Sequence, residues 1–172
     1  CSNHMKQEML LRLMKEMLKN SRRSDRELAK AIKASQPTVT RNRKLLARYI
    51  RSYTVVPEFS KIGYEILSFT FAKCRSYDAK TMEARLPTAR EWFMKKANVI
   101  FVSDGEGLER DFAIVSLHKD YSRYADFMRN CVFNFSDIMS DFQSFIISLK
   151  TGTVMKPFDL AYLSGDVEEF QI

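Results

Sequence analysis

Ser24-Asp25-Arg26-Glu27-Leu28-Ala29-Lys30-Ala31-Ile32-Lys33-Ala34-Ser35-Gln36-Pro37-Thr38-Val39 is the run whose reading decides the fold. Ser24 followed three residues later by Glu27 is a capping box, in which the hydroxyl accepts from the Glu27 amide and the carboxylate reaches back. It opens a short helix whose apolar positions are Leu28, Ala29 and Ile32. Lys33 and Ala34 leave room only for a tight turn. Ser35 then caps a further helix, with Pro37 in the first turn, where a missing N–H costs nothing. Val39, Leu46 and Ile50 form its inner face, while Gln36, Thr38, Thr40, Arg41 and Lys44 lie outside as a set without an acid. A short helix, a tight turn and a second helix with such a face is the geometry that enters a DNA major groove. Gln, Arg and Lys supply donors for base edges, and Ser and Thr supply phosphate or base contacts. The structural alternative is a three-helix cluster whose basic face meets only solvent.

Before this run, Met9, Leu10, Leu13, Met14, Met17 and Leu18 recur at helical spacing, giving an amphipathic helix of about 14 residues that ends near Asn20. Its methionines read as a core stripe rather than a peptide-binding groove. Residues 1–5, Cys-Ser-Asn-His-Met, read as an expression remnant running into the initiator Met5, which sets His4 aside as a ligand. Charge is uneven along the chain: residues 1–75 hold 17 Lys+Arg against 6 Asp+Glu, and residues 76–172 hold 11 against 15. Such asymmetry points the first half toward a polyanion.

A chain of 172 residues with 45% apolar and 28% charged residues has the makeup of one mid-sized or two small globular domains. Disordered, collagen-like and disulfide-stapled classes are excluded. No apolar run approaches the roughly 20 residues of a membrane span, and no secretory signal is visible. Cys1, Cys74 and Cys131 form neither a metal spacing nor an even disulfide set. The expectation is a reduced, cytoplasmic protein without a membrane partner.

The run Ser21-Arg22-Arg23-Ser24-Asp25-Arg26-Glu27-Leu28-Ala29, then Ser35-Gln36-Pro37-Thr38-Val39, then Ile50-Arg51-Ser52-Tyr53-Thr54, then Ile62-Gly63-Tyr64 resembles the leucine-responsive regulator/AsnC (Lrp/AsnC) family. The resemblance is good over residues 6–73 and looser beyond. It implies an archaeal or bacterial transcription regulator with an N-terminal helix-turn-helix (winged-helix-like) domain and a C-terminal ligand-sensing α+β domain. The implied partners are double-stranded DNA and a second copy of the chain, as a homodimer or higher even oligomer. Residues 35–44, with Ser35, Gln36, Pro37, Thr38, Thr40, Arg41 and Lys44, would read the groove. Arg22, Arg23 and Arg26, beside Ser24, would anchor phosphates, with Arg51 a weaker candidate. The chain departs from the family in two places. Arg48-Tyr49 replaces the usual Gly before Ile50, and Arg43 stands where an apolar residue is common.

Residues 50–56 are β-rich and stop at Pro57, giving a connecting strand that completes a DNA-binding domain over residues 6–56. Residues 57–65 read as a linker, 66–150 as a ferredoxin-like domain and 151–172 as a C-terminal extension. Within 66–150, Leu67, Phe69 and Phe71 alternate with Ser68, Thr70 and Ala72, the period of a half-buried strand. A helix over 78–97 points Met82, Leu86, Ala89, Trp92 and Phe93 inward, with Pro87 as a kink or break. Val99 to Val102 and Phe112 to Leu117 read as strands. Tyr121, Tyr124, Ala125, Phe127, Met128 and Val132 fit a second helix, and Phe142 to Leu149 a last strand. The order strand, helix, strand, strand, helix, strand is the ferredoxin-like βαββαβ arrangement, so the fold class is α+β. Its helix-free face calls for a cover, and a symmetric homodimer is the commonest one. Two recognition helices would then read half-sites about one helical turn apart.

Ser103 to Asp111 joins the second and third strands as a loop carrying four acids. The resemblance places an amino-acid effector at this hairpin, with Gly105 and Gly107 admitting a carboxylate and Asp111 taking an ammonium. A plain hairpin turn is the alternative. The acids disfavour nucleotides and phosphorylated metabolites at this loop. His118 more simply ends a strand, with Asp120 as N-cap of the next helix, and a lone histidine makes no zinc site. Hydrolase triads, Walker loops and His-Glu-x-x-His are absent, so neither enzyme chemistry, cofactor nor metal is expected. The competing reading is an enzyme or sensor on the same fold without DNA binding, since siroheme-decarboxylating enzymes share the resembled fold. Phe158, Leu160, Tyr162 and Leu163 of the tail would pack on the sheet edge or on a partner subunit.

Overall fold

The computed structural model describes residues 2–75 and 78–170, which fall into two units, 1–56 with 156–172 and 57–155. Cys1, Ser76, Tyr77 and the last two residues of the tail lie outside the described residues.

In the helical unit, α1 (Ser2–Lys19), α2 (Asp25–Ile32) and α3 (Gln36–Leu46) follow one another. Helix α1 runs through residues that the sequence reading set aside, so the apolar period starts inside a longer helix than expected. Leu10, Leu13 and Met17 of α1 meet Leu28, Ala29 and Ile32 of α2 and Val39 and Leu46 of α3 in one buried cluster. Each fully buried Leu or Ile is worth about 1.5–3 kcal/mol. The capping box is present: Ser24 Oγ accepts from the Glu27 amide, and Glu27 Oε2 accepts from the Ser24 amide at 2.7 Å. Lys33 ends α2 in the left-handed region (φ 54°), and Arg12 of α1 donates to the Ile32 carbonyl at 2.6 Å. Ser35 caps α3, Pro37 sits in its first turn, and a 3₁₀ turn, Ala47–Tyr49, follows Leu46.

The connecting strand does not form. Residues 51–58 carry no regular secondary structure. β-propensity expresses itself only on a paired, half-buried surface, and these residues find no ladder partner among the described residues. The tail packs on α1 rather than on the sheet edge, and Phe158, Leu160, Tyr162 and Leu163 keep exposed surface. Its 3₁₀ segment Ala161–Gly165 lies against α1, and Phe170 stacks on Tyr49 with ring centroids 4.6 Å apart.

The second unit holds β1 (Ile66–Cys74), α4 (Ala79–Met94), β2 (Val99–Gly107), β3 (Arg110–His118), α5 (Tyr121–Phe135) and β4 (Met139–Ser148). The sheet order is β2-β3-β1-β4 with antiparallel neighbours, so each helix crosses over one strand, the ferredoxin-like topology. Asp78 and Asp120 cap α4 and α5.

Which face of β1 is buried follows from volume. Trp92, Phe93, Phe127 and Phe135 pile up from the helices, with Trp92 and Phe135 edge-to-face at 5.1 Å. Beneath such bulk lie the small residues Ser68, Thr70, Ala72 and Ser116, each fully buried. Their hydroxyls bond one another, Thr70 Oγ1 to Ser144 Oγ at 2.7 Å and Ser68 Oγ to Thr70 Oγ1 at 3.1 Å. Leu67, Phe69 and Phe71 therefore point to the helix-free face, where Phe145 is 67% and Phe101 56% exposed.

Two helix expectations are corrected. Leu86 is exposed, because the α4 stripe runs through Ala89 and Phe93. Pro87 sits inside α4, on its exposed side, where water can take the carbonyl that loses its partner. Tyr121 and Val132 of α5 face outward, and Phe127, Cys131 and Phe135 face inward. No helix among the described residues is long and apolar enough to cross a membrane.

Candidate nucleic-acid interface

Gln36, Pro37, Thr40, Arg41 and Lys44 are all exposed and line an open cleft of about 400 Å³ along α3. Arg41 and Lys44 have no ion pair among the described residues. Their neighbour Arg43 turns the other way. Its Nη1 lies 2.6 Å from Asp25 Oδ1, and Thr40 Oγ1 donates to the other oxygen of that carboxylate. Those two contacts, Thr40 first and Arg43 second, hold the Asp25 carboxyl below its ordinary range. This pair fastens α2 to α3 and accounts for a cation at a position where the resembled family commonly has an apolar residue. It also commits the Thr40 proton, leaving that side chain to offer a methyl group and an acceptor.

The flanking cations divide in the same way. Arg22 and Arg26 are exposed and have no ion pair among the described residues. Arg23, read from sequence as a phosphate anchor, instead donates to the Glu16 carbonyl at 2.5 Å and to Glu16 Oε2 at 2.8 Å. It closes the end of α1 onto the loop before α2, and its Nε is buried without a partner. Lys19, then Arg23, hold the Glu16 carboxyl below the usual range. Ser24 is occupied by its capping box, and Ser35 Oγ lies 2.8 Å from Thr38 Oγ1. Lys33, an exposed cation in the turn itself, was passed over in the sequence reading, although its place between the two helices was a usable signal.

The loop expected over Ser103–Asp111 is a tight hairpin. β2 continues to Gly107 and β3 begins at Arg110, so only Leu108 and Glu109 turn, both left-handed (φ 53° and 54°). Two such residues in succession match the twist of the flanking strands, which a glycine-based reading missed. Gly105 and Gly107 thus lie in β2 with open space around them. Asp111 lies in β3, where its carboxylate accepts from the Cys74 amide at 2.6 Å. Beside it Arg110, whose side chain is only 9% exposed, pairs with Asp141 at 2.8 Å.

His118 is 3% exposed, with Nε2 2.8 Å from Ser116 Oγ and its ring against Tyr124 and Phe127. Burial lowers its pKa, partly opposed by Asp120. Burial also pushes the Cys131 thiol up to about 12, so it stays protonated at neutral pH. Among the described residues no three His, Cys, Asp or Glu side chains gather as a metal site.

A helix-turn-helix unit followed by a βαββαβ unit defines an α+β chain whose third helix is basic and free of acids. No family model and no curated protein matches the sequence. Solved structures do match. A transcriptional regulator from Neisseria meningitidis, solved with L-Met, is 17% identical, with 86% of this chain and 92% of that one covered at a TM-score of 0.70. AsnC of E. coli is 14% identical over 88% and 96% of the two chains at a TM-score of 0.68. LrpC of B. subtilis is 20% identical over 88% and 95% at 0.63. The chain has the fold of the Lrp/AsnC regulators.

Proposed function

We propose that this chain is a sequence-specific DNA-binding transcription regulator, acting in the cytoplasm and without catalysis of its own. The observation that carries the reading is the exposed, acid-free face of α3, with Gln36, Arg41 and Lys44 held outward while Arg43 and Asp25 fix the helix from behind. Arg41 and Gln36 suit base edges, and Lys44, Arg22 and Arg26 suit phosphates. The functions of the structural neighbours support the reading.

The reading includes a homodimer or higher even oligomer, supported by the helix-free sheet face, where exposed Phe101 and Phe145 flank Phe69 and Val115. An amino-acid effector belongs to the same reading, since one neighbour was solved with L-Met. Gly105, Gly107 and Asp111 are its candidate contacts. Asp111, steadied by the Cys74 amide, offers a positioned carboxylate to an ammonium group.

Dimethyl sulfate footprinting on DNA from upstream of the chain's own gene tests groove and dimer together. Protection of guanine N7 in two half-sites about one helical turn apart is expected. Uniform reactivity at saturating protein contradicts the groove assignment.

A further inference from the structure

At the end of the sheet away from the hairpin, the second unit holds an open cleft of about 440 Å³ between the segment that follows α4 (residues 95–98), the end of β3 and the first turns of α5. The resembled family's effector reading does not touch it, and the proposed DNA face does not include it. Its floor is apolar and neutral, built from Leu117, His118 and Phe127. Its rim carries Lys95, Lys96, Lys119 and Arg123 against one acid, Asp126.

The carboxylates near that rim are already engaged. Asp126 pairs with Arg129, Glu91 with Lys95 at 2.6 Å, and Asp120 caps α5 while lying 3.4 Å from Arg123. Lys96 and Lys119 are different, with no ion pair among the described residues. Lys96 Nζ sits 4.3 Å from the centre of the Trp92 ring. Lys119 Nζ sits 3.7 Å from that of Tyr64 and donates to the Ile62 carbonyl at 2.9 Å. An aromatic face positions an ammonium without cancelling its charge. Two lysines are therefore held in place on the wall of a cleft, positive and uncompensated, with the amides of Asn98 and Asn130 beside them.

We propose that this cleft binds a small phosphorylated metabolite, its phosphate received by Lys96 and Lys119 and its organic body lying on the Leu117–Phe127 floor. Lysine ammoniums act as compact point charges suited to phosphate, and a cleft of this volume is of ligand size. The cationic rim is the opposite of the acid-rich hairpin, so the two ends of one sheet would take ligands of different charge.

Titration of the full-length chain with pyrophosphate, followed by calorimetry and by the imidazole C–H resonances of its two histidines, tests this. Saturable binding at one site per chain is expected, with the His118 resonances moving and those of His4 still. The double change Lys96→Gln/Lys119→Gln should weaken binding about tenfold or more, since a charge-assisted bond carries that order of affinity. Lys96→Gln alone, which leaves the Lys119 bond to Ile62 intact, should weaken it less, and Lys150→Gln should not change it. Three results would overturn the proposal. One is the absence of saturation, a second is citrate binding as tightly as pyrophosphate, and the third is equal weakening in the Lys150 control. Displacement of pyrophosphate by random duplex DNA would overturn it too, because the lysines would then be a nucleic-acid surface.

Discussion

The helical unit and the sheet unit treat polar groups differently: among the described residues the helices bury one polar side chain, Asn42, and the sheet unit four. Around α1 to α3 the charged groups stay near the surface, and the cations do two jobs. Arg12, Arg23 and Arg43 bond as clamps to the Ile32 carbonyl, Glu16 and Asp25, while Arg22, Arg26, Arg41 and Lys44 stand outward without an ion pair among the described residues. In the sheet unit the polar groups go inside. Ser68, Thr70, Ser116 and His118 lie buried under aromatic rings and satisfy one another. Local charge therefore says little until the partner of each group is known.

The largest effect should come from the aromatic pile. Phe135→Ala should destabilise the sheet unit by about 3–5 kcal/mol in denaturant melts, the usual cost of emptying a Phe site in a dense core. A loss well under that would mean that the helices settle onto the small residues beneath them, weakening the volume argument.

Next comes Arg41→Ala, which should leave stability unchanged and relax base discrimination by about 1–3 kcal/mol, read from binding to single-base operator variants. The contrast between Arg22 and Arg23 is sharper although smaller. Arg23→Ala should cost on the order of 1 kcal/mol of stability, given a partly exposed pair with an added carbonyl bond. Arg22→Ala should cost none, weaken binding on all sequences and flatten the salt slope by about one. If the two changes behave alike in the melts, the division into clamps and outward cations fails.

The smallest effect is a pH dependence in the sheet unit. The His118 pKa is lowered by burial, so the folded state favours the neutral ring. The stability it contributes is present above the ordinary histidine pKa of about 6.5 and is lost as pH falls below it. Thermal melts between neutral and mildly acid pH should show this decline in the wild type, and His118→Gln should remove it.

How much of this was legible depends on whether the signal is local. Ser24 with Glu27 and Ser35 with Pro37 announced two helices and a turn, because capping signals lie within three residues of one another. The order of six elements in the second unit was legible from period alone. The buried face of β1 was not, since alternation names two faces and only the bulk of α4 and α5 chooses between them. The connecting strand failed because strand propensity needs a partner that no local pattern reveals. At the candidate site Gln36, Arg41 and Lys44 were readable from helical spacing. The inward turn of Arg43 was not, because its acid lies 18 residues away. The hairpin misled because Gly105 and Gly107 looked like turn residues, while Leu108 and Glu109 take the left-handed positions.

The most direct test is the affinity of the chain for DNA from upstream of its own gene and for random duplex, followed by fluorescence anisotropy over a salt series. The account predicts a preference of roughly 10³-fold or more for the upstream DNA, with affinity for both falling steeply as salt rises. No binding at any salt, or a steep slope without preference, would contradict the assignment of α3 as a sequence-reading helix.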